Sequence, residues 1–194
     1  MNLRLPAAMT AFIALAAVAQ AQTPSPAPAP NPQAGTATRG GSSSAVPSKA
    51  DQSFATKAAQ AGTAEIADAK LALQNSSRQD VKDFAQKMVD DHTKAANQLR
   101  LIAGGESITL PSNESAADQK ATDALQKLNG PAFDRNYIEG QRKAHKQAVA
   151  LFTTEGQKSK DDRLKTFANQ TLPTLKGHLQ MITTMPLTQK SAGK

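Results

Sequence analysis

The chain has 194 residues, a formal net charge of +7 and no cysteine, which excludes disulfides, thiolate catalysis and cysteine metal ligands. Arg4 and Arg39 precede the first acidic residue, Asp51, so the rest of the chain carries a milder +5 with lysines and acids interleaved. Five phenylalanines, one tyrosine and no tryptophan beyond the N-terminal segment give no stacking platform for bases, so nucleic acid is not an expected partner.

Met1 to Ala21 reads as a cleavable secretory signal. Arg4 supplies the positive start, Leu5 to Val18 the apolar stretch, and Ala19-Gln20-Ala21 the small-residue cleavage site. The apolar run is short for a membrane span and is interrupted by Pro6 and Thr10. Without a cysteine near the cleavage site there is no lipid anchor, and the expected address is the periplasm or the medium. Residues 22–50 are rich in Pro, Ala, Gly and Ser and read as a disordered tether. Residues 186–194 form a short basic tail, leaving a domain at 51–185. The basic surface could make weak contact with anionic cell-envelope polymers.

Ser48/Asp51, Ser77/Asp80, Ser115/Asp118 and Ser159/Asp162 each have the Ser-x-x-acid spacing of a helix capping box. Gly130-Pro131 marks a fifth start, with proline at the first helical position. Helices are predicted near 51–74, 78–103, 115–128, 131–157 and 161–185, with a short extended piece in the loop SITLPSN. Core stripes run through Phe54, Ala58, Ala61, Glu65 and Ala69, and through Phe133, Tyr137, Ala144, Ala148 and Leu151. The last long helix contributes Leu164, Ala168, Thr171, Leu175, His178 and Ile182. The small residues are expected to let their helices approach closely. The fold class is all-α, a four-helix bundle with a short extra helix in its crossover. VKDFAQ (Val81–Gln86) also echoes LKTFAN (Leu164–Asn169), a faint internal repeat of helical hairpins.

Polar residues interrupt these stripes. Glu65 lies eleven residues after Phe54 and His178 eleven after Phe167, close to three helical turns, so each shares the face of an inward phenylalanine. Asp91 follows Phe84 by seven, with His92 beside it, and His145 extends the line Ile138, Gln141 at the edge of its stripe. The only three histidines thus fall on three long helices, and Glu65 on the fourth. Glu65, His92, His145 and His178 could hold one divalent metal, iron, manganese or zinc. Asp91, Asp134 and Tyr137 could orient the imidazoles. The same residues could equally satisfy one another as a polar core. Met88 and Met181, each near a histidine, raise copper(I) as a lesser choice, since methionine at helical spacing is usually core filling. Pro173 predicts a kink in the last helix that could turn His178 inward.

TAEIADAKLAL, VKDFAQKMVDDH, FDRNYIEGQRKAH and LPTLKGHL resemble the bacterial exported family called domain of unknown function 4142, over about Phe54 to Met185. Its members are often labelled putative outer membrane proteins and assigned to the ferritin-like superfamily. The resemblance implies a ferritin-like bundle in the cell envelope, with recurring polar positions at Glu65, Asp91, His92, Asp134, Tyr137, His145 and His178. It supplies no activity. Ferritin-type di-iron sites use Glu-x-x-His pairs, whereas Val89, Arg142 and Leu175 stand three before the histidines here, so such a site is not expected. The sequence therefore points first to a non-enzymatic exported bundle protein, with protection under envelope stress as its expected role. The alternative is a metal-binding protein or oxidoreductase built on the Glu/His centre. A third reading is an adaptor docking to envelope polymers through its basic surface.

Overall fold

The computed structural model describes residues 47–188; the predicted signal segment, most of the predicted tether and the end of the predicted tail lie outside this range. Five helices follow in order: α1 (Lys49–Asn75), α2 (Gln79–Gly105), α3 (Ala116–Gln126), α4 (Gly130–Lys158) and α5 (Asp162–Thr184). No strand occurs among the described residues, and SITLPSN is irregular. None of these helices is long and apolar enough to cross a membrane.

Local chemistry sets the helix starts, with two corrections to the predicted caps. At α1 both bonds of the box form: Ser48 Oγ accepts from Asp51 N at 3.2 Å, and Asp51 Oδ2 accepts from Ser48 N at 2.9 Å. Ser115 caps α3 by accepting from Asp118 N at 3.2 Å. Ser77 does not cap α2, because Arg78 occupies the cap position and takes the Asp80 carboxylate at 2.7 and 3.1 Å. A two-pronged guanidinium–carboxylate pair outcompetes a single backbone donor. Ser159 does not cap α5 either. Its hydroxyl donates to Asp51 Oδ1 at 2.7 Å, tying the end of α4 to the start of α1, and Asp161 accepts from Leu164 N at 2.8 Å instead. Gly130 turns the chain at φ +55°, a left-handed conformation suited to glycine, and delivers Pro131 into the first turn of α4.

The long helices form a ring in which α1 neighbours α2 and α4, and α5 neighbours α2 and α4. Since α2 and α4 are not among the substantial pairs, their link must cross the bundle, and α3 within it packs on α1 and α4. This is a four-helix bundle with one crossover. Gly156 permits close approach of α4 and α5, where Asn169 Nδ2 donates to its carbonyl at 3.2 Å.

Each long helix passes through two apolar clusters. One contains Val81, Phe84, Met88, Phe133, Ile138 and Ile182; the other contains Phe54, Leu99, Phe152, Leu164, Phe167 and Leu175. Along every long helix the polar residue of interest falls between its two apolar contributions: Glu65, His92, His145 and His178. The bundle is thus two dry cores separated by a polar layer. Small residues on α1 and α4 do more than permit approach: Ala58, Ala61, Ala144 and Ala148 help line a cavity of about 800 Å³, roofed in part by Ala117 and Ala121 of α3. Single-carbon side chains leave the seam unfilled.

The end of α5 is fastened by Arg142. Its guanidinium donates to the carbonyls of Ile182 at 2.9 Å, Thr183 at 3.1 Å and Met185 at 2.5 Å, all groups without a partner inside the helix. Charged hydrogen bonds contribute about 1.5–3 kcal/mol each at most, and these three share one side chain. Arg142→Ala is expected to lower stability by about 2 kcal/mol, read as a reduced urea midpoint at unchanged slope. An unchanged midpoint would show that water serves those carbonyls equally well.

Candidate metal centre

The polar layer gathers the three histidines. Relative exposures are 7 % for His92 and 0 % for His145 and His178, so His145 sits inside the core rather than at its edge. Ring centroids lie 5.8 Å apart for His92–His145, 5.6 Å for His92–His178 and 5.4 Å for His145–His178. One nitrogen from each ring lies within 4.8 Å of one from each of the others.

Every ring has one nitrogen held by an oxygen of the protein. His145 Nδ1 donates to the Gln141 carbonyl at 3.0 Å, one turn back on α4. A carbonyl can only accept, so this bond leaves Nε2 of His145 with its lone pair. His178 Nε2 donates to Asp91 Oδ2 at 2.8 Å, and Lys87 Nζ holds the same oxygen at 2.9 Å from the preceding turn of α2. His92 Nδ1 lies 3.1 Å from Glu65 Oε2, while Glu65 Oε1 lies 3.6 Å from His145 Nδ1. The remaining nitrogens, Nε2 of His92, Nε2 of His145 and Nδ1 of His178, are buried without a partner among the described residues. Phe84 closes one side of the cluster, with its ring centroid 6.3 Å from that of His145 and 6.1 Å from that of His178. On another side His92 and His178 border the 800 Å³ cavity.

Burial dominates the electrostatics. It pulls His92 down to about 3, helped by His145 and His178, and His145 down to about 4, partly opposed by the Gln141 carbonyl. His178 is lowered by burial against the pull of Asp91. Glu65 is pushed up to about 8 by burial, with Asp68 and Asp118 adding repulsion. Burial also works against the charge of Asp91, but Lys87 and His178 outweigh it and hold that carboxyl below its usual range. At neutral pH the three imidazoles are neutral and Asp91 is ionised. Glu65 keeps its carboxyl proton, so the Glu65–His92 pair is uncharged.

The layer therefore brings together Glu65, Asp91, His92, His145 and His178. Glu65 stands at the Nδ1 side of His92, on the far side of that ring from its free nitrogen, and is not one of the three mutually close donors. Asp134 and Tyr137 hydrogen-bond none of the rings: Asp134 Oδ1 and Tyr137 Oη are buried without partners among the described residues. Tyr137 packs instead between Phe84 and Phe133, at 6.3 and 6.0 Å. Met88 lies in an apolar cluster and Met181 is 37 % exposed. Sequence reasoning missed Lys87 and the Gln141 carbonyl. The i,i+4 spacing of Lys87 and Asp91 was a readable signal; a backbone carbonyl gives none.

The fold and layer define an all-helical bundle with a histidine centre. The sequence matches the family described as Domain of unknown function (DUF4142) over residues 36–185, and the chain belongs to that family. Among solved structures it is similar to a DUF305 fragment from Deinococcus radiodurans, with a TM-score of 0.63 and 14% identity over 72% of this chain and 96% of that one. It is also similar to CopM in the Cu(I)-bound form, with a TM-score of 0.58 and 16% identity over 68% of this chain and 91% of that one. At such identities the likeness is one of fold. No curated protein sequence matches the chain.

Proposed function

We propose that this protein binds one transition-metal ion through Nε2 of His92, Nε2 of His145 and Nδ1 of His178. One observation carries the reading: three buried imidazoles converge, each with one nitrogen fixed by a protein oxygen and the other unpartnered. A closed polar network would pair those nitrogens, since an orphaned buried polar atom costs about 1–3 kcal/mol. Metal-ligating histidines commonly donate their second nitrogen to a carboxylate or carbonyl, the arrangement that Glu65, Gln141 and Asp91 provide here.

An all-imidazole set suits zinc, copper, iron and nickel, and lacks the oxygens that manganese prefers. With Glu65 acting behind His92, manganese loses its argument and copper gains one, without any need for Met88 or Met181. The Cu(I)-bound form of the similar CopM fold is consistent with copper. Three protein ligands leave a fourth position open, as in zinc sites that take water or a small ligand. We carry the exported address from the signal segment into this reading, which places the metal-binding bundle in the periplasm or outside the cell.

The test is metal content by mass spectrometry on exported protein purified without chelator or affinity tag. One metal per chain is expected, named by the measurement. A metal-free chain that also stays empty after incubation with zinc, copper and anaerobic iron would overturn the reading.

A further inference from the structure

The cavity that reaches His92 and His178 is charged unevenly. Asp118 of α3, Asp68 and Glu65 of α1 and Asp91 of α2 border it, the last already held by Lys87 and His178, and exposed Lys57 and Lys143 also line it. Asp68 and Glu65 are one helical turn apart and so neighbour each other on α1. Burial deepens along the series: Asp118 and Asp68 are partly buried and Glu65 is buried. Thr122 adds to the same cluster, its hydroxyl 2.9 Å from Asp68 Oδ1 and 3.0 Å from Glu114 Oε2. One hydroxyl proton serves only one of those oxygens, so the acids are under-supplied with donors. Independently of the cluster, Glu65 Oε1 is buried without a partner, on a residue that borders the cavity.

We propose that a hydrated divalent cation reaches the histidine centre along the α1–α3 wall of this cavity, passing Asp118 and then Asp68 before His92 takes it. This rests on the metal-binding reading and adds to it a direction of entry. Each carboxylate replaces part of the hydration shell as the path narrows, which lowers the penalty of bringing a bare charge into the core. Lys57 and Lys143 repel cations from their part of the lining. The crossover helix α3 thereby acquires a role beyond spanning the bundle: it carries the outermost acid of the path. Fields focused in a charged cleft change association rates by about 10- to 1000-fold, and salt screens them.

The experiment is stopped-flow loading of Zn²⁺ into the full chain, read by loss of signal from a zinc indicator dye. The Asp68→Asn/Asp118→Asn variant is compared with wild type and with Asp83→Asn/Asp162→Asn, which removes the same charge at exposed positions outside the cavity. Loading about tenfold slower in the first variant only, at low salt and still one zinc per chain, is expected; the gap should close at high salt. Wild-type rates in the first variant, or equal slowing in both, would overturn the path while leaving the histidine centre standing. Loss of stoichiometric zinc in the first variant would make the acids ligands rather than a path, and overturn it too. A wild-type chain that binds no zinc at all would remove the centre and the path together.

Discussion

Replacing any one of His92, His145 or His178 by alanine is expected to abolish stable metal loading, with affinity falling at least about 100-fold, since even the partners that orient such ligands cost 10–100-fold when removed. Thermal unfolding gives the second readout. A ligand present at 1,000 times its dissociation constant stabilises the folded state by about 4 kcal/mol. For a domain of this size that corresponds to about 10 °C or more in Tm. Wild type should show that rise on adding metal, and each histidine variant should show little or none. The metal-free comparison separates binding from folding. His178→Ala leaves Asp91 with Lys87 and opens a small void, so a loss of about 1–3 kcal/mol without metal is expected in its own right. Met88→Leu and Met181→Leu are the discriminating controls, because near-isosteric swaps cost little and remove a thioether. A lost metal response in either methionine variant would move the site to a sulfur–nitrogen set. Retained binding in all three histidine variants would leave the layer as a polar core only.

Legibility in the sequence followed the physics of each feature. The long helices were readable because core stripes, serine–acid starts and Gly130-Pro131 agree on the same boundaries, and agreement across levels marks a well-specified element. The polar layer was readable because eleven residues nearly complete three turns, tying Glu65 and His178 to the faces of Phe54 and Phe167. Its internal assignment was not. Whether Glu65 meets a metal or a ring nitrogen depends on side-chain rotamers and on the lateral placing of α1 against α2, neither of which periodicity encodes. Ser77 and Ser159 looked like caps because the motif is local, while their displacement is not: Arg78 claims Asp80, and Ser159 is drawn to Asp51 from the far end of the sequence. Asp134 and Tyr137 face inward as expected, yet sit about three and two helical turns from His145 on α4 and join other company. The acids of the crossover were invisible for a related reason. The segment between α2 and α4 has no long stripe of its own, so nothing in its spacing says that Glu114 and Asp118 will lie against Asp68.

Metal binding is expected to release one proton between pH 6 and 8, with affinity rising about tenfold per pH unit and levelling off above pH 8. The cause is the Glu65–His92 pair. Without metal, burial keeps the carboxyl of Glu65 protonated up to about 8, so it donates to Nδ1 of His92 and leaves the ring's remaining proton on Nε2. A metal on Nε2 needs that proton on Nδ1 instead, donated to an ionised carboxylate, so one proton must leave the pair. His92 and His145 add nothing in this window, because burial holds them near 3 and near 4. From pH 8 to pH 6 the affinity should fall about 100-fold, or about 2.7 kcal/mol. The sign for the metal-free fold is opposite. A carboxyl whose folded pKa is raised from 4.5 to about 8 contributes stability that declines as pH rises through that interval. The lowered histidines contribute stability that is lost as pH falls below their unfolded value of 6.5. Metal-free stability should therefore peak near pH 6.5, and added metal should restore most of what is lost above it. Glu65→Gln isolates the cause, since an amide oxygen can still accept from Nδ1–H of His92 but carries no titrating proton. That variant should bind with an affinity nearly flat from pH 6 to 8. Calorimetry in two buffers of different ionisation enthalpy counts the released proton directly. A count near zero in wild type, or an unchanged slope in Glu65→Gln, would mean that Glu65 is ionised before the metal arrives and that the pair does not gate binding.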